Sequence, residues 1–456
     1  MLYPLLCLIV LFLSIVLWIY HWKNPRCNGK LSPGSMGLPV VGESFQLFTL
    51  QYGSLFKSSL VDRQIVVSTD TDVNRFIFQQ KGKLVQSWYM DSFDDIVGKE
   101  NILSSHGFLH KCLRNLILNL FGSESLKEKH VSEMEELTSK HVGLWSCQQP
   151  SMIYDFTVRK LFGCNNEKLR GCNSAFLDGL ISFPLNIPGT AYWKCLQGCN
   201  KVMRVIKIMS EERRGTLTKK QDKDFLDVVL EEMNKAGTIL SEQTALDLLF
   251  ALPFAAFESA SSAVVLALQY LQSNPLALAE QTQEHETILR ERETKGSGIT
   301  WKEYKSMTLT HMVSLMSNLQ QTIRLGNIVT AIFRKVVKDI EIKDYKIPAG
   351  WIILACTPAV HLNPTKYEDP LTFNPCMKTN KQGRELNAGS KFFMGLGSGV
   401  RLCAGAEFVK LQISIFLHHF CTNYRWTVMK EGKAVRQPGL VFSDGFHVQI
   451  LNKKFI

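Results

Sequence analysis

Phe393-Met-Gly-Leu-Gly-Ser-Gly-Val-Arg-Leu-Cys-Ala-Gly-Ala-Glu407 is the stretch whose reading decides the fold. It sets Cys403 between Gly399 and Gly405, with Gly397 before them and Arg401 two residues upstream. Glycine lets a backbone turn tightly and approach a flat group where a Cβ would collide, and N–H groups aimed at a sulfur lower its basicity. Arg401 adds positive charge to the same loop. Directly downstream, Phe408 to His419 is apolar at helical spacing, so Cys403 is expected on a loop entering a helix N-terminus, where anionic sulfur is favoured. Cysteine thiolate is one of the few protein ligands of haem iron. A buried cysteine packing as a small hydrophobe is the plainer reading, but it leaves the glycines and Arg401 unexplained.

Outward from this loop, the chain has 456 residues and is 45% hydrophobic, which supports a large core. Length alone allows about three domains or one large α-rich domain. The 12 cysteines are scattered, with neither a CxxC pair nor zinc-ligand spacing, so all but Cys403 read as reduced packing residues. Residues Leu2 to Tyr20 carry no charge, and about nineteen apolar residues match a hydrocarbon core of roughly 30 Å. A cleavable signal peptide would show a basic start and a small-residue cleavage site, and neither is present. Lys23, Arg26 and Lys30 follow, which places the N-terminus in the lumen and the body in the cytosol, with Trp18, Tyr20 and Trp22 at the interface. The Pro/Gly run Ser32 to Gly42 cannot continue a helix. The expected organisation is a membrane anchor over 1–22, a basic, Pro/Gly-rich hinge over 23–43 and a catalytic body over 44–456.

A net charge of +11 admits nucleic acid, or an acidic protein and an anionic membrane face. No nucleic-acid-binding motif occurs, so nucleic acid is not expected as a partner and the basic surface suits an acidic electron donor. A merely solvated basic surface accounts for the charge equally well, because no dense Lys/Arg cluster stands out.

Helical spacing dominates from Phe108 to Leu325. Ile65 to Ser68 and Ile340 to Ile353 read as short strands, the latter broken at Asp344-Tyr345 and Pro348-Ala-Gly350. Val441 to Ile450 reads as a hairpin turning at Asp444-Gly445, and Glu211 to Asp224 as an exposed loop between helices. A long helix is expected from about Ser241 to Leu271. Ala255 and Ser259 share a face there, and their small side chains would leave a groove for a diatomic ligand. Glu258 beside Ser259 would form an acid–hydroxyl pair able to hand on protons, although a partly exposed glutamate on a helix is the commoner explanation. A haem carries two propionates and needs convergent cations. His110 and Arg114, four apart on one helical face, together with Arg334 and Arg401, make a plausible set, although each alone is more often a surface charge.

Together these residues resemble the cytochrome P-450 family, whose haem loop reads Phe-x-x-Gly-x-Arg-x-Cys-x-Gly. Here the pattern is Leu396-Gly-Ser-Gly399-Val-Arg401-Leu-Cys403-Ala-Gly405, with Leu396 at the family's phenylalanine. Ala255-Ala-Phe-Glu258-Ser259 is similar to the family's Ala/Gly-Gly-x-Asp/Glu-Thr motif, with serine keeping the threonine hydroxyl. The resemblance extends over nearly the whole chain. It implies a mainly α fold with small β-sheets and an N-terminal transmembrane helix. It also implies haem b on a Cys403 thiolate, with His361 in Ala359-Val-His-Leu-Asn-Pro364 near the cofactor.

Two departures stand out. The family's Glu-x-x-Arg reads Gln321-Thr-Ile-Arg324 here, and Met377 replaces an arginine expected in a later loop. Leaving a buried cation without its partner typically costs about 3–5 kcal/mol. The stretch between Gly42-Glu43 and Tyr52-Gly53 is short against the family pattern, and the segment after Pro150 also looks clipped.

Pro33 to Pro39, Pro184 to Thr190, Phe257-Glu-Ser259 and Cys403 to Glu407 resemble the plant branch acting on sterols and triterpenoids, related to brassinosteroid and gibberellin enzymes. The implied activity is a monooxygenase that inserts oxygen into a C–H bond of a sterol or triterpenoid, using dioxygen. Its electrons would come from NADPH through NADPH–cytochrome P-450 reductase, at the endoplasmic reticulum membrane, in contact with lipid. Trp88, Met90, Phe254, Val329 and Phe442 are candidate pocket residues. A haem-thiolate isomerase would lack Glu258-Ser259. A non-catalytic or degenerate haem- or sterol-binding member is the alternative that Gln321, Met377 and the shortened N-terminal region favour.

Overall fold

The computed structural model describes residues 2–36, 52–60, 63–80, 82–129, 131–144, 176, 178–180, 182–215, 224–292, 297–307, 310, 318–373, 390–432, 434–437, 439–442 and 445–453. The side chains of Glu258 and Gln321, and the whole of Met377, lie outside the described residues. The chain divides into two compact units: residues 1–88, 331–360 and 398–400 form the first, and 89–330, 361–397 and 401–456 the second.

The first unit opens with α1 (Leu2–Lys23), an apolar helix whose described side chains are mostly exposed. Its sheet combines β1 (Leu55–Leu60), β2 (Arg63–Ser68), β3 (Val85–Ser87), β4 (Ala331–Val336) and β7 (Ile352–Cys356) in the order β1-β2-β7-β4-β3. β2 and β7 pair in parallel, Ile65 opposite Ile352, and their apolar stretches Ile65-Val-Val67 and Ile352-Ile-Leu354 are buried, as a covered strand pair requires. α2 (Thr71–Gln79) starts where the Asp70 carboxylate accepts the Asp72 and Val73 N–H groups. β5 (Ile340–Ile342) and β6 (Tyr345–Ile347) form a hairpin. Its two turn residues, Lys343 and Asp344, both have positive φ, the geometry of a two-residue primed turn.

The Pro/Gly segment is latched to this unit. Gly34 bridges Lys57, whose N–H donates to Pro33 O at 2.7 Å. The Ser59 hydroxyl and the Trp22 indole N–H both donate to Met36 O, at 2.6 and 3.2 Å. Trp22, expected at a membrane interface, thus packs on protein, because its indole N–H finds an acceptor there.

The second unit is mainly α: α3 (Asp91–Val97), α4 (Gly107–Phe121), α5 (Ser123–Lys129), α6 (Val131–Leu144), α7 (Ala191–Arg214), α8 (Phe225–Met233), α9 (Glu242–Gln272), α10 (Pro275–Glu291), α11 (Trp301–Ser306), α12 (Asn318–Gly326) and α14 (Ala406–Asn423). A further short helix, α13 (Thr357–His361), follows β7. α9 is 31 residues long and runs through Pro253. Its first half packs in a core with Leu113, Phe225, Phe408 and Leu411, and its second half with Phe416, Phe420 and Trp426.

Two expectations are corrected. α7 continues to Arg214, so Glu211 to Arg214 is helical, and Arg213 reaches Asp224 and Asp227 at 2.7 and 2.9 Å. Among the described residues the strands on either side of Asp444-Gly445 do not pair with each other as the expected hairpin over Val441 to Ile450 would require. β10 (Gly439–Phe442) pairs with β9 (Ala434–Gln437), and β11 (His447–Asn452) pairs with β8 (Tyr424–Lys430). Pro438-Gly439 is a second turn dipeptide only a few residues before Asp444-Gly445, and two such signals in one stretch leave the pairing open to sequence reasoning.

Candidate functional site

Cys403 lies just before α14, as expected, and its N–H donates to Leu396 O at 2.9 Å, closing the glycine loop on itself. Gly397 (φ +76°) makes the turn that permits this closure. Gly405 serves differently. Its φ is ordinary at −89°, but a Cβ there would stand 4.0 Å from the Cys403 sulfur, and its N–H hydrogen-bonds the thiol.

The Cys403 side chain keeps accessible surface while protein surrounds it closely enough to desolvate it, the mark of a sulfur facing an internal space. That burial pushes the thiol up, against the lowering influence of the Gly405 N–H and the Arg114 charge. The expected low basicity is therefore not a property of the protein alone, since removal from water outweighs both favourable neighbours. A coordinating metal would remove the proton outright.

Arg114, on the inner side of α4 beside buried His110, donates to Leu402 O, next to the cysteine. It is the cation acting on the sulfur. Arg401 was expected in that role, but its guanidinium turns away to Ile102 O (2.6 Å), Leu103 O (3.0 Å) and Ser105 O. A planar fork matched by three carbonyls is better satisfied there than beside a neutral thiol. Arg334, in the first unit, donates to Phe333 O at 2.7 Å and lies 5.4 Å from the centre of the Phe78 ring. Gly399 belongs to the same unit. It has φ +63°, and a Cβ there would come within 2.9 Å of Phe78 O.

On α9, the Ser259 hydroxyl donates to Ala255 O at 2.9 Å, so the two do share a face. Ala255 is exposed midway along a helix that is otherwise largely buried, as a groove lined by small residues requires. The accessible sulfur, the space kept by Gly405 and the open face at Ala255 fit a flat thiolate-ligated group.

Arg324 is the buried cation of the cluster to which Gln321 and Met377 would belong. It is 1% exposed, and among the described residues it donates to His361 O (2.9 Å), Pro370 O (2.5 Å) and Thr372 O (3.3 Å). The Tyr367 ring lies 4.8 Å from the guanidinium carbon. Burial pulls the guanidinium down to about 10, which still leaves it charged at neutral pH. Carbonyl dipoles and a ring face thus contribute to solvating this cation.

From Arg324 the bonds run onward to the cysteine loop. The Tyr367 hydroxyl donates to Phe392 O, and the Met394 N–H donates to His361 Nε2 at 3.0 Å. That bond makes Nε2 the acceptor, so His361 Nδ1 carries the proton toward Asn327 Oδ1, 2.8 Å away. Burial first, and then Arg324, push His361 down to about 3. His361 is a neutral brace under the loop, with both ring nitrogens engaged by protein.

Sequence reasoning missed Asn327, Tyr367 and Asp247. Of these only Asp247 left a signal, a carboxylate inside the apolar run Ala245 to Leu252.

A sequence model described as "Cytochrome P-450" matches residues 159–442. Cytochrome P-450 87A3 of Oryza sativa subsp. japonica is 44% identical over 96% of this chain and 89% of its own length. Cucurbitadienol 11-hydroxylase of Siraitia grosvenorii is 36% identical over 96% of each chain. Beta-amyrin 16-alpha-hydroxylase of Maesa lanceolata is 35% identical over 97% of this chain and 98% of its own. Among solved structures, retinoic acid-bound cyanobacterial CYP120A1 superposes with a TM-score of 0.82 at 21% identity, covering 93% of this chain and 100% of the other, a likeness of fold.

Proposed function

The chain belongs to the cytochrome P-450 family, and from that premise we propose that it oxidises a C–H bond of a sterol or triterpenoid as a membrane-anchored monooxygenase. Membership carries a haem with cysteine-ligated iron, which supplies the activation of dioxygen. The substrate class rests on one observation: relatives aligned over nearly their whole length are named as hydroxylases of cucurbitadienol, beta-amyrin and steroids.

In this reading Cys403 ligates the iron, Arg114 with His110 faces the propionate side, Arg334 is assigned to that side on the family pattern alone, and Arg401 acts by bracing the loop on Ile102, Leu103 and Ser105. Ala255 and Gly405 keep space for the flat group, Gly399 gives room to the Phe78 carbonyl, and His361 braces the loop that carries Cys403. Ser259 stands as the near proton donor and Glu258 as the acid behind it. At rest the Ser259 hydroxyl is held by Ala255 O, so handing on a proton requires it to rotate away from that carbonyl. α1 would anchor the protein once through the endoplasmic reticulum membrane with the body cytosolic. Electrons would arrive from NADPH through its flavoprotein reductase.

Reconstitution in membranes with that reductase, NADPH and a panel of sterols and triterpenoids tests the proposal. A product carrying one atom from labelled dioxygen is expected. Substrate-induced spectral shifts without product would instead favour a haem- and sterol-binding member that does not turn over.

A further inference from the structure

The segment 98–105 joins α3 to α4 and is held from two directions within the second unit. On one side Asp247 of α9, wholly buried, accepts the Glu100 N–H at 3.0 Å and the Gln243 amide at 2.6 Å. Glu100 returns the grip by accepting the Ser241 hydroxyl at 2.6 Å and that of Thr244. Gly98 makes room for this contact. It has φ +101°, and a Cβ there would stand 2.1 Å from the Asp247 carboxyl carbon. On the other side Arg401 holds the carbonyls of Ile102, Leu103 and Ser105. Between the two grips, buried Asn101 stiffens the segment by accepting the Leu103 and Ser104 N–H groups at 2.8 and 3.0 Å.

Two residues of the cysteine loop are thereby fixed from outside it: Arg401 through this segment, and Leu402 through Arg114, whose helix begins where the segment ends. We propose that Asp247 is a positioning residue for the haem site. It clamps segment 98–105 to α9, and that segment, as a strut, sets Arg401 and with it the place of Cys403. The inference rests on the haem-thiolate reading above. A carboxylate in an apolar helical run is costly to bury, and accepting the Glu100 N–H and the Gln243 amide is a use that offsets the cost.

The test uses full-length protein in membranes, with three readouts: haem release to apomyoglobin, the fraction of red-shifted ferrous–CO band, and hydrogen exchange of residues 98–105. Asp247→Ala is expected to speed haem release about tenfold, the size of effect typical of residues that orient a metal ligand. It should also raise the unshifted CO band and accelerate exchange as far as Ser105. Gly98→Ala, which obstructs the carboxylate without removing it, should do the same. Asp247→Asn, which keeps an oxygen for the Glu100 N–H, should restore most of the wild-type behaviour.

In an Arg401→Lys background, where one ammonium cannot hold three carbonyls, Asp247→Ala should add less than about threefold, because both changes release one strut. Additive effects of the two changes, or exchange confined to Glu100, would overturn the strut. A wild type with the red-shifted band and an Asp247→Ala variant indistinguishable from it would also overturn it. A wild type without the band would contradict the haem-thiolate reading itself, and the inference with it.

Discussion

Arg324 is a cation in the core whose described partners are three carbonyl oxygens and an aromatic ring. Arg324→Met removes the charge at similar volume but strands those carbonyls, and it should destabilise the protein by about 3 kcal/mol. Thermal unfolding of detergent-solubilised protein would measure this. His361 makes a second prediction. Its folded-state pKa, about 3, lies below the ordinary histidine value, and His418 is likewise pushed down to about 4 by burial, then by the His419 and Arg292 charges. The unfolded chain therefore binds protons that the folded chain refuses, so stability is full above about pH 6.5 and falls as pH drops toward 4. Each group contributes up to about 1.4 kcal/mol per pH unit. His361→Gln should remove one such contribution from the pH dependence of unfolding, and an unchanged slope would contradict the neutral-brace assignment. Cys403 was legible because its glycines and flanking charge make a pattern in one short run. The partners of Arg324 were not, because they are backbone carbonyls that any sequence supplies.

At the scale of elements, α9 and α14 were readable from apolar periodicity: α9 lies within one residue of its expected limits, and α14 begins two residues before and ends four residues beyond the expected run. The C-terminal strand pairing was not, since four short strands with two turn signals allow more than one register. On α9, Ser259→Ala should leave the CO spectrum intact and lower product formed per NADPH consumed, because the hydroxyl is assigned to proton delivery rather than to binding. Equal coupling in the variant would remove Ser259 from that role. The described part of the Pro/Gly segment, expected as a hinge, is latched to the first unit. Gly34 has φ +128°, and a Cβ there would come within 2.2 Å of Lys57 O, so Gly34→Ala should release the segment and expose residues 24–36 to protease while the CO spectrum persists.

Across the whole molecule, family and fold agree: the sequence model, the relatives aligned over nearly their full length and the solved structure of similar fold point the same way. The departures at Leu396, Gln321 and Met377 raised the alternative that inheritance had outlived activity. Leu396 still closes the cysteine loop through its carbonyl, which any residue could provide, and Arg324 has three described carbonyl acceptors, which any sequence at those positions would supply. The central claim is that Cys403 holds a haem iron as its thiolate. Ferrous, CO-bound protein in membranes tests it most directly: wild type should show the red-shifted Soret band of thiolate haem and Cys403→Ala should not, whereas identical spectra for the two would contradict the assignment.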